Sequence, residues 1–183
     1  MMMNSVFHRY LKIAALWESE LEKYSDEQFA MKPSPESWSM GQVYEHLVMG
    51  TLNYHIKQIE ECLVNDENQR EKKTFQGKLI YTINSIPPVR IKVPPSPMYT
   101  PKQPENRERI KAGMRLLEKK LQDLSVEIDH AVHFGKTKHR ALGYLGAKEW
   151  FQLIVMHFRH HMVPKKRIDL FLKGKVHAHG TSH

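Results

Sequence analysis

The chain reads as an all-α protein, a four-helix bundle with one long proline-rich crossover. Three observations predict this. Apolar residues recur every three or four positions over four long stretches, the period of a helix with one buried face. Seven of the ten prolines fall between Pro87 and Pro104, where the missing N–H groups exclude regular helix and favour an extended, polyproline-like connection. No segment alternates strongly enough to read as a strand, and no internal repeat is visible. Four long helices joined by short links and one long crossover are the ingredients of a bundle.

In chain order, the first helix is predicted over residues 5–24, where Val6, Tyr10, Ile13, Trp17, Leu21 and Tyr24 form one stripe. Residues 25–37 contain Pro33 and Pro35 and read as a connector. Ser39 followed by Gln42 is a capping box, so the second helix should start there and run to about residue 64. Val43, His46, Leu47, Gly50 and Tyr54 form its inward side, and Gln42, Glu45 and Asn53 its polar side. Phe75, Leu79, Ile80 and Ile83 predict a minor amphipathic helix before the crossover. The third helix should start near Pro104, a residue suited to a first turn, and continue through Ile110, Met114, Leu117, Leu121 and Leu124. Residues 125–145 are irregular. The fourth helix is expected over 146–172, with Pro164 removing one backbone hydrogen bond and kinking it.

At 183 residues and 21.5 kDa, the chain has room for one domain with a substantial core, assigned to residues 1–175, followed by a histidine-containing tail at 176–183. No apolar run approaches the ~18 residues of a membrane span, and polar residues interrupt the first twenty positions, so neither a membrane helix nor a signal peptide is expected. A cytoplasmic location follows. The single cysteine, Cys62, has no disulfide or C-x-x-C partner, and nothing beside it in sequence is built to lower its pKa. A net charge of +8 permits nucleic-acid binding. The basic residues are mostly interleaved with acids, however, and no aromatic-rich basic stripe emerges, which argues for a solvated surface and against a nucleic-acid partner.

Chemistry is concentrated in His157 and His161. Residues at i and i+4 on a helix lie roughly 5–6 Å apart, close enough to share a metal ion. Spacing alone is weak evidence: with 12 histidines in 183 residues, chance gives roughly 0.8 such pairs, and His179 and His183 make another. Context separates the two, because His157 and His161 continue the stripe of Trp150, Ile154, Ile168 and Phe171, whereas the tail pair has no stripe. A third donor must come from another element. His46 is the natural candidate, because it reads as inward on the second helix while His55, nine residues on, falls on the opposite side. Three neutral imidazoles leave a coordination position for water or substrate, which is the pattern of a catalytic site. His139 reads as a loop or capping residue, and Arg159 and His160 face away from the stripe. Trp38 and Trp150 read as core aromatics that can also line a pocket. The tail histidines His177, His179 and His183 can scavenge metal without functional meaning.

The segment from Pro35 to Leu47 (PESWSMGQVYEHL), followed by His139-Arg140-Ala141-Leu142-Gly143-Tyr144-Leu145 and by Glu149-Trp150-Phe151 with His157-x-x-x-His161, resembles the DinB/YfiT superfamily of metal-dependent bundle proteins. The resemblance follows element order along nearly the whole chain, and its specificity lies in the combination. It implies an up-up-down-down four-helix bundle whose metal ligands map onto His46, His157 and His161. It further implies a zinc or nickel ion, a small-molecule substrate, a homodimer, and either hydrolysis or transfer chemistry on a low-molecular-weight thiol such as bacillithiol, mycothiol or glutathione. One departure stands out: Pro164, Lys165 and Lys166 occupy the neighbourhood where the family often carries glutamine and isoleucine, so the kinked helix end should reshape the pocket. No general base is identifiable, although Glu45 and Glu149 are close in sequence, and Glu149 also suits a helix first turn. The rival readings are a non-catalytic metal- or ligand-binding bundle and a basic nucleic-acid-associated helical protein.

Overall fold

The computed structural model describes residues 2–87 and 100–179. The protein is mostly helical, with one small two-stranded sheet. Helix α1 (Met3–Leu21) buries Val6, Tyr10, Trp17 and Leu21 as the periodicity predicts. The expected connector contains a short helix, α2 (Asp26–Ala30), started by a second capping box between Ser25 and Gln28. That Ser-x-x-Gln signal was present in the sequence, but the prolines that follow it drew the reading towards a loop.

Helix α3 (Met40–Gly50) starts at the predicted cap, with Ser39 and Gln42 exchanging side-chain and backbone hydrogen bonds. A π-helical turn, Thr51–His55, follows, and then α4 (Ile56–Val64), so the helical path ends where expected. The assignment of its faces holds only in part: Val43 and Leu47 are buried and Asn53 is exposed as expected. Gln42 and Glu45 are buried, because Gln42 Nε2 donates to the Pro101 carbonyl at 2.7 Å and Glu45 faces Arg109 at 3.2 Å, while Tyr54 is exposed. The returning end of the crossover and the next long helix cover the side that looked polar.

Helix α5 (Phe75–Ile83) exists, but it buries Gly77 and Ile80 and half-buries Tyr81, whose hydroxyl donates to the Glu149 carbonyl at 2.7 Å, while Phe75, Leu79 and Ile83 are exposed. The crossover expected between Pro87 and Pro104 lies largely outside the described residues, as do the tail side chains His177, His179 and His183. Helix α6 (Arg107–Asp129) is capped by Asn106, whose side chain accepts the Arg109 N–H, so Pro104 precedes the cap instead of occupying the first turn.

The absence of strands is corrected by an antiparallel hairpin, β1 (Lys136–His139) and β2 (Gly143–Gly146), paired Thr137 with Leu145 and His139 with Gly143. Four-residue strands are too short for a period of two to stand out. Gly143 closes the hairpin at φ +82, and an added Cβ there would meet backbone atoms at 2.6 to 2.9 Å; only glycine fits.

The last helical stretch is two helices, α7 (Ala147–His160) and α8 (Met162–His179), the second running past the expected end at residue 172. The predicted kink resolves into this break. His161 is the turn between them, and Pro164 falls in the first turn of α8, where a proline removes no helical bond. Helix α1 packs on α6 and α7, α3 on α6, and α4 on α7. Trp17 ties this core together: its Nε1 donates to the Phe158 carbonyl at 3.2 Å, and its own carbonyl accepts the Tyr44 hydroxyl at 2.7 Å. Among the described residues no helix is long and apolar enough to cross a membrane.

Candidate metal centre

The cap at Ser39 places His46 in the second turn of α3, with the Trp38 ring 5.1 Å from its imidazole. On α7, Glu149 accepts the Gly146 N–H at 2.9 Å and Trp150 Nε1 donates to Thr137 Oγ1 at 2.8 Å, which fixes the helix against the hairpin. That anchoring sets the rotation at which His157 emerges, two turns later. His161 follows in the turn after α7, its N–H donating to the His157 carbonyl at 3.1 Å.

The three predicted residues come together. His46 Nε2 lies 2.9 Å from His157 Nε2, and the ring centroids of His46, His157 and His161 are 4.7 to 4.8 Å apart. One potential ligand nitrogen from each lies within 4.8 Å of the others. Two nitrogens bound to one tetrahedral ion at about 2.0–2.1 Å stand roughly 3.3 Å apart, a spacing bracketed by these distances. The Nδ1 atoms of His157 and His161 are buried without a hydrogen-bond partner. Buried polar atoms are rarely left unpaired without a functional reason. The residues present therefore fit a divalent ion.

Two corrections enlarge the cluster. His55 does not fall on the opposite side. It is 8% exposed, with its ring 5.5 Å from His157 and 5.9 Å from Trp150. The expectation assumed 100° per residue throughout, and the π turn adds about one residue to a helical turn, shifting the later positions by roughly that angle. His160 does not turn fully away either: its ring lies 5.4 Å from His161, because α7 ends there and regular rotation ends with it. Arg159 is exposed as expected. No sequence signal marks a π turn, so His55 was missed for a physical reason.

His46, His55, His157 and His161 are held neutral. Burial pushes His46 down to about 4, with the His160 ring adding to the effect. Burial likewise pushes His161 and His55 down to about 3, and takes His157 well below its usual value, in each case reinforced by neighbouring imidazoles. Neutral imidazole is the form that binds a metal. No carboxylate is among the groups that set these shifts.

The other residues singled out have structural partners. Glu149 caps α7 and pairs with Lys73, and Glu45 pairs with Arg109. His139 ends β1 and accepts the N–H groups of Ala141 and Leu142 at 3.1 Å, a turn-capping role. Cys62 is buried against the Leu145 carbonyl, and burial pushes its thiol pKa up, the opposite of what a nucleophile needs. Trp150 is fully buried; Trp38 is half-buried and lines the centre beside His46.

Comparison of the chain with family models, curated proteins and solved structures finds no match. The resemblance to the DinB/YfiT superfamily rests on the residues alone.

Proposed function

We propose that the protein is a metal-dependent enzyme of the DinB/YfiT type, an up-up-down-down four-helix bundle in which His46, His157 and His161 hold a zinc or nickel ion. The observation that carries this is the convergence of three neutral imidazoles, two with unpaired buried Nδ1 atoms, from residues 111 positions apart. A divalent ion held there supplies Lewis acidity, lowering the pKa of a bound water or thiol towards neutrality. The chain's part is to keep the three imidazoles deprotonated and the surroundings poor in water.

Charge supports an anionic co-ligand. Three neutral donors leave a dication's charge uncompensated in a desolvated site, so a hydroxide or the thiolate of a small thiol is favoured over a neutral ligand. Hydrolysis and thiol S-transfer are the two reaction classes consistent with this. The buried, partnerless Cys62 agrees with a reducing cytoplasmic setting. A non-catalytic metal-binding bundle is the second reading, favoured by one observation: Glu45 and Glu149 each pair with a cation, and among the described residues no carboxylate perturbs the rings.

The deciding experiment is metal content by plasma mass spectrometry on the full chain and on His157→Ala after reconstitution with zinc and with nickel. One metal equivalent more in the wild type than in the variant supports the centre, and the subtraction removes tail binding. Equal content in both refutes it. Hydrolase and thiol-transfer screens on loaded wild type then separate the enzyme from the binding bundle.

A further inference from the structure

His55 is the part of this cluster that the triad leaves unused. It is almost fully buried, it sits in the one π turn found among the described residues, and its Nδ1 is buried with no hydrogen-bond partner. Its ring packs on two groups that define the centre, His157 at 5.5 Å and Trp150 at 5.9 Å. Its nitrogens are not within the mutual 4.8 Å of the three candidate ligands, so it stands behind the donors and not among them.

The demand it can meet comes from His157. A histidine that commits Nε2 to a cation carries its remaining proton on Nδ1, and that N–H is normally satisfied by an acceptor that fixes tautomer and ring orientation. In His157, Nε2 faces His46 at 2.9 Å and Nδ1 is buried and unpaired. His161 also packs on His157 and also has an unpaired Nδ1, but as a fellow ligand it has the same need. His55 is not a ligand: the Gly50 backbone reaches its ring, and with Nδ1 unpaired that contact falls to Nε2 and leaves Nδ1 able to accept.

We propose that His55 is a positioning residue for the centre: its Nδ1 accepts from the Nδ1–H of His157 across one water, and so keeps His157 Nε2 bare and aimed at the cation. The proposal rests on the metal reading above. It also gives the π turn a purpose, since an uninterrupted α-helix would carry His55 away from His157.

Co²⁺ is the probe, on the full chain, by competition titration and ligand-field absorption. His55→Phe, which keeps a ring but removes the acceptor, should bind Co²⁺ about 10- to 100-fold more weakly, with the absorption bands of the bound ion unchanged because the donors are unchanged. His55→Gln, whose side-chain oxygen can accept, should recover affinity to within a few-fold of wild type. Wild-type affinity in His55→Phe overturns the proposal, and so does a His55→Gln as weak as His55→Phe.

A long-range proton–nitrogen correlation spectrum of the Zn²⁺-loaded wild type tests the tautomers without any variant. His157 protonated at Nδ1 with His55 bare at Nδ1 is expected, and a His55 protonated at Nδ1 overturns the proposal even if His55→Phe fails to fold. Equal Co²⁺ affinity in wild type and His157→Ala refutes the metal reading and this proposal together. A difference there, with none in the His55 variants, refutes this proposal alone.

Discussion

Lys165 on α8 and His157 on α7 both belong to polar clusters sunk among the helices, and the two clusters are finished differently. The Lys165 ammonium donates to Glu20 and to Asp169, each at 2.7 Å; the second oxygen of Asp169 accepts the Tyr24 hydroxyl at 2.6 Å, and the second oxygen of Glu20 faces Lys23. Each of these charged atoms has a hydrogen-bond partner. In the histidine cluster, His55, His157, His160 and His161 each leave a buried Nδ1 unpaired, and neighbouring rings help to lower the pKa of His55, His157 and His161. A cluster that satisfies itself holds helices together; one that does not is built around something else.

Acid should separate the two most strongly. His46, His55 and His161 titrate near 6.5 when unfolded and near 4, 3 and 3 when folded. Below 6.5 the unfolded chain binds more protons, so stability is complete above that pH and is lost as the pH falls towards the folded values. At about 1.4 kcal/mol per unit once the unfolded ring is fully protonated, the metal-free protein should lose about 2 kcal/mol per neutral ring between pH 6.5 and 4.5, read as a falling urea midpoint. The Glu20 pair cannot produce this, because its carboxylate is held below the usual range by Lys165 and titrates lower. A flat stability profile over that window would break the contrast.

Lys165→Met comes next. Lys165 is 2% exposed, and removing it leaves two partly buried carboxylates facing each other without a cation. A loss of about 3 kcal/mol in unfolding free energy is expected. His157→Leu in metal-free protein should be neutral or slightly stabilising, since it removes an unpaired group. Zinc at 100 times its dissociation constant should then raise wild-type stability by about 2.7 kcal/mol and leave His157→Leu unchanged in a thermal melt. Tyr24→Phe, which deletes one hydrogen bond at the edge of the closed cluster, should cost only about 1 kcal/mol.

The same contrast explains what the sequence revealed. Helix starts announced themselves where a side chain closes a local hydrogen bond, as at Ser39 with Gln42. The triad was readable because His157 and His161 repeat the spacing of Trp150 and Ile154, a local signal that survives the turn at His161 where α7 ends. Lys165 was passed over because its partners, Glu20 and Asp169, lie partly on another helix, and nothing in the order of residues joins 20 to 165. His55 was misplaced because its position depends on a change of helical pitch between residues 51 and 55. The hairpin was missed because its two strands, of four residues each, gain their meaning only by seating against α7. Local patterns were mostly legible, the Ser25 cap excepted, and of the contacts that close over long separations the meeting of His46 with His157 and His161 was the exception that could be read.

A π turn is what a helix keeps after a single-residue insertion, and the turn at Thr51–His55 therefore constrains how this chain can change by gain or loss of residues. Deleting one residue there would restore a continuous α-helical ladder from Met40 to Val64 and rotate everything downstream by about 100° relative to α3. His55 would leave the rings, and Ile56, Ile59 and Cys62, all buried now, would leave the core with it. The placement of one imidazole and the phase of an entire core stripe are thus inherited together, so a deletion in this turn cannot remove the first without dismantling the second.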